Sequence, residues 1–84
     1  MNEIIVVAYP ESQIKFMLAD ETNTFIDSDV AFLPTLNERM LMMMEGREDT
    51  LKDILVYGPQ PYIEGVARII RKDFPKTPIL ERTK

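Results

Sequence analysis

The chain has no cysteine and no histidine. The first absence excludes disulfides and thiolate-bound metal. The second removes the commonest metal ligand and the usual general base near neutral pH. Ser12 and Ser28 therefore have no imidazole partner anywhere in the sequence, and nucleophilic catalysis of the serine–histidine kind is excluded. Basic charge is also scarce. Ten Lys and Arg face 14 Asp and Glu, a net charge of −4, so no general nucleic-acid-binding face is expected. The acidic excess is too small to suggest a DNA mimic. No apolar run approaches the ~18 residues of a membrane span. The start, MNEIIVVAYP, has an acidic residue before a short apolar stretch, unlike a secretory leader. A cytoplasmic location is expected, with no membrane contact and no cofactor.

What is present suits one globular domain: 84 residues, 45% hydrophobic and 29% charged. A chain this short buries only about 60–65% of the surface its unfolded form exposes. Small domains add buried area or cross-links to compensate. With disulfides and thiolate metals excluded, association with another subunit is the remaining route.

Ile4–Tyr9 is a β-branched run stopped by Pro10. Its unbroken apolarity predicts a central strand covered on both faces. Ile14–Ala19 and Thr24–Asp27 predict a hairpin around the turn residues Asp20-Glu21-Thr22-Asn23. Thr35 and Glu38 have the spacing of a capping box opening a helix, and Gly46 is its expected stop. Ile54–Tyr57, ended by Gly58-Pro59, predicts another buried strand. Tyr62–Phe74 is amphipathic, with Tyr62, Val66, Ile69 and Ile70 on one face and Glu64, Arg68, Arg71 and Lys72 on the other. Pro75 ends it, and residues 79–81 form a last short strand. The reading is one α/β (α+β) domain over residues 1–81, with 82–84 a frayed tail. Its order is β-β-β-α-β-α-β, in a mixed sheet of about five strands with a right-handed C-terminal βαβ unit.

This order resembles the core of the ribonuclease H-like fold, in topology alone. The resemblance implies carboxylates on the first strand, the first helix and near the fourth strand, holding two metal ions. Here Ile4–Tyr9 and Ile54–Gln60 carry none, and Glu38 is the only match. The catalytic equipment of that family is absent.

Four surfaces remain as candidate sites. Asp20, Glu21, Asp27 and Asp29 cluster around the hairpin. Asp20, Asp27 and Asp29 with Glu38 are the weak candidates for a Mg²⁺ site serving a nuclease or phosphatase. Their spacing matches no calcium loop or hydrolase motif, which favours a solvated acidic loop. Tyr57, Gly58, Gln60 and Tyr62 sit where a parallel strand leads into a helix, the usual ligand crevice of an open α/β sheet. Pro59 and Pro61 lack the N–H groups a phosphate cradle needs, which favours a rigid turn that presets the helix entry. On the methionine-rich helix, Leu36, Met40, Met43 and Met44 share the face expected to meet the sheet. Arg39, Leu41, Met42 and Glu45 lie away from it and form a candidate docking surface. Arg68, Arg71, Lys72 and Lys76 are diluted by Glu64 and Asp73, and read as a solvated helix face. The functional expectation is a non-catalytic interaction or assembly domain whose partner is another protein or a second copy. A small-ligand binder at the 57–62 turn and a Mg-dependent hydrolase are the alternatives.

Overall fold

A computed structural model describes residues 1–84. The strands are β1 (Asn2–Val7), β2 (Ile14–Ala19), β3 (Phe25–Ala31), β4 (Leu51–Gly58) and β5 (Ile79–Thr83). The helices are α1 (Leu36–Met44) and α2 (Tyr62–Asp73). The expected class, a small mixed sheet with two helices, is what forms. The strands lie side by side in the order β3-β2-β1-β4-β5. β1 runs antiparallel to β2 and parallel to β4, and β5 continues the parallel half. No helix is long and apolar enough to cross a membrane.

Both helices lie on one face. The core joins Ile4, Val6 and Ala8 of β1 to Ile14, Phe16 and Leu18 of β2 and to Ile54 and Val56 of β4. Onto these pack Leu36, Met40, Met43 and Met44 of α1 and Ile63, Val66, Ala67 and Ile70 of α2. The alternate residues Ile5, Val7, Met17 and Leu55 stand outside this cluster and are half-buried. β1 and β4 are thus covered by helices on one face, not on both as their apolar runs predict. An unbroken β-branched run reports strand propensity as much as burial, and here propensity prevails.

Three local expectations are corrected. Thr35 makes no capping box with Glu38. A 3₁₀ turn over Leu33–Thr35 precedes α1 and holds Thr35 at φ −113°, ψ 8°, outside the extended region that an N-cap residue adopts. Its hydroxyl donates instead to the Phe32 carbonyl at 3.3 Å. β3 continues to Ala31, well past Asp27. The residues expected to fray belong to β5 through Thr83, and the Lys84 N–H donates to the Gly58 carbonyl at 3.0 Å. Gly46 does follow α1, with φ 83°, where the chain reverses into a left-handed residue.

Candidate functional site

The hairpin carboxylates are each occupied by their own surroundings. Asp20 Oδ1 accepts the Thr22 and Thr24 N–H groups and the Thr22 hydroxyl, so it organises the β2–β3 turn. The Thr22 hydroxyl and the Thr24 amide hold its carboxyl below the usual Asp range. Glu21 accepts from the Met1 amine at 2.7 Å, and this contact lowers its pKa too. Asp27 and Asp29 lie on the helix side of β3. Asp27 pairs with Arg47 at 2.6 Å and Asp29 with Arg39 at 3.3 Å. Glu38 stands apart on α1. No three carboxylates are grouped so as to hold a metal ion.

The 57–62 turn closes on itself. A Cβ on Gly58 would collide with the Ala8 carbonyl oxygen, so glycine is required for the approach of the two strands. The Ala8 N–H donates to the Tyr57 carbonyl, and the Ile63 and Glu64 N–H groups donate to the Pro59 and Pro61 carbonyls. Tyr62 packs against the core margin. Gln60 reaches Glu81 at 3.5 Å. None of the surface depressions is lined by residues of this turn.

On α1, Leu41 and Met42 are exposed, Met42 by 60%. They border a depression rimmed by Glu38, Glu45, Glu48 and Asp73. Met42 also borders a second depression with Phe32, Val30 and Arg39.

The largest feature missed by sequence reasoning is the sheet face opposite the helices. Strand register places Met17, Ile5, Leu55 and Leu80 in one row across β2, β1, β4 and β5. Leu80 is 48% exposed. One row toward the end of β1, Lys15, Val7, Tyr57 and Arg82 are neighbours. One row toward its start, Glu3 lies beside Asp53. The Glu3 carboxyl is pushed above its ordinary value, first by hydrogen bonding to Asp53, then by burial and by the Asp53 charge. Asp53 is 9% exposed, and its Oδ1 has no hydrogen-bond partner. Its only ion pair is a 3.9 Å contact with the exposed Lys52. The face therefore has an apolar middle, a basic end and an acidic end whose carboxylates feel cations only weakly. Asp53 does so through the long Lys52 contact, and Glu3 through the charges of Lys52 and Arg82, which only partly offset the upward push on its pKa. The signal was present in β2, where Lys15 between Ile14 and Phe16 marks a strand with one wet face.

No protein-family model matches the chain, and no curated protein matches it.

Proposed function

We propose that the chain is a non-catalytic interaction or assembly domain that docks through apolar surface. The carrying observation is the sheet face left without a helical layer, with Met17, Ile5, Leu55 and Leu80 in register across four strands. A contiguous apolar row rimmed by charge is the ordinary anatomy of a protein-binding patch. The exposed Leu41 and Met42 on α1 provide a second, smaller surface on the other side of the domain. The absence of histidine and cysteine, and the occupation of Asp20, Asp27 and Asp29 by structural partners, support binding over catalysis. A chain without cysteine suits a cytoplasmic setting, where disulfides add no stability.

The test is site-specific photo-crosslinking in the native host. A photoreactive residue at Leu80 is expected to give discrete protein adducts, and one at Lys72 on the solvent side of α2 is not. Adducts absent from both Leu80 and Met42 would remove the reading.

A further inference from the structure

We infer that the open sheet face pairs with the same face of a second copy, about a two-fold axis running along the Met17–Ile5–Leu55–Leu80 row. This rests on the reading of the chain as an interaction domain and names its partner. Rotation about that axis lays the apolar row on itself and reverses the strand direction between copies. The Glu3–Asp53 end of one sheet then faces the Lys15–Arg82 end of the other. Glu3 on β1 comes to lie one strand away from the second copy's Lys15 on β2, and Asp53 on β4 one strand away from its Arg82 on β5. Strands are about 4.8 Å apart and packed sheets about 10 Å, which long Lys, Arg and Glu side chains span. Two-fold interfaces are self-complementary, and this face carries both signs at opposite ends of one apolar row. A cation arriving there adds to the single long contact, 3.9 Å from Lys52, that Asp53 has within its own chain. Lys15 is exposed and about four residues, or ~13 Å, along the sheet from Glu3, too far to serve it internally.

The face measures about 24 Å across five strands and about 16 Å along them, near 400 Å² per copy in projection. A standard stable interface takes about 800 Å² per partner. The pairing is therefore weak and concentration-dependent, unlike an obligate dimer.

Sedimentation velocity between about 1 µM and 1 mM tests the pairing. The parent chain is expected to shift from monomer to dimer across that range. Lys15→Glu is expected to weaken the dimer at least about tenfold, and so is Glu3→Lys. Lys15→Glu combined with Glu3→Lys is expected to restore it to within about threefold of the parent. Because the chain has no cysteine, Ile5→Cys and Leu80→Cys each provide a single thiol. Ile5→Cys lies on the axis and is expected to cross-link to itself through a short bis-maleimide, with Met42→Cys as the negative control. Leu80→Cys, on an exposed edge, is the fallback where Ile5→Cys fails to fold. A chain monomeric at every concentration overturns the inference, and so does a dimer linked through Met42→Cys and indifferent to Lys15→Glu. Adducts to other proteins at Leu80 in the host would leave the interaction reading standing in either case.

Discussion

Asp53 is the one charged side chain that folding takes almost wholly out of water, and it is placed against another carboxylate. The Glu3 pKa is raised in the folded chain. A raised acid contributes stability fully below its unfolded pKa, and loses it as pH rises through the folded value. This pair therefore weakens the fold as pH climbs above about 4.3, the ordinary value for Glu. Asp20 and Glu21 act in the opposite sense. Their lowered pKa values add stability that is present above the ordinary carboxylate range and lost on acidification. Asp53→Asn replaces the repelling carboxylate with an amide that can donate to Glu3. The variant is expected to gain about 1 kcal/mol at pH 7, a figure already discounted for the partly solvated Glu3. The gain should shrink toward pH 4. Melting temperatures of parent and variant across pH 4–8, at micromolar concentration, check it. A difference independent of pH would show that the two carboxyls do not repel.

At the scale of elements, β2 and α2 were legible because a single pattern governs each. The apolar positions of α2 recur at helical spacing. Of the face read as Tyr62, Val66, Ile69 and Ile70, Val66 and Ile70 are buried, whereas Tyr62 and Ile69 are half-buried and Ile63 and Ala67 complete the buried stripe. β3 was legible only in its first residues. Ser28 and Asp29 look like loop chemistry, but they continue an edge strand in which Asp27 and Asp29 face α1 and meet Arg47 and Arg39. Those partners lie 20 and 10 residues away in sequence, so no local pattern could announce them. The exposure of Leu41 and Met42 on α1 could be read from helical spacing, whereas the make-up of the open face depends on register among four strands, and Lys15 in β2 signalled only that one face is wet. The same two acids guard the sheet edge. The Ser28 N–H donates to Asp27 Oδ1 at 2.9 Å and the Val30 N–H to Asp29 Oδ1 at 2.8 Å. An occupied amide is not offered to an incoming strand, and a charged edge repels one. Replacing both by alanine is expected to cost only about 1 kcal/mol in stability, since both ion pairs are on the surface. Replacing both by asparagine keeps an acceptor for each amide. Light scattering and thioflavin fluorescence should show faster aggregation of the alanine pair than of the asparagine pair. Equal rates for the two would mean that the amides are not what the aspartates protect.

Taken whole, the molecule is a two-layer structure of 84 residues, with one layer of helices on one side of its sheet. Such a domain leaves its central strand half wet, where a third layer would bury it. The half-buried Ile5, Val7, Met17 and Leu55 carry apolar surface that folding alone does not remove from water. Pairing two such faces adds burial to the native state and nothing to the unfolded one. Stability then follows mass action. Each tenfold rise in concentration above the dimer dissociation constant adds about 1.4 kcal/mol per dimer, or half that per chain. For a domain of this size, 1 kcal/mol moves the melting temperature by about 4–8 °C. The melting temperature is therefore expected to climb about 3–6 °C per tenfold increase in concentration through the high micromolar range. Lys15→Glu should flatten that slope without moving the value reached at low concentration, because Lys15 is exposed in the single chain. Calorimetry on dilution series of both proteins separates the outcomes. A parent slope of zero would mean that the apolar row stays in water, and an equal slope for Lys15→Glu would place the contact on some other surface.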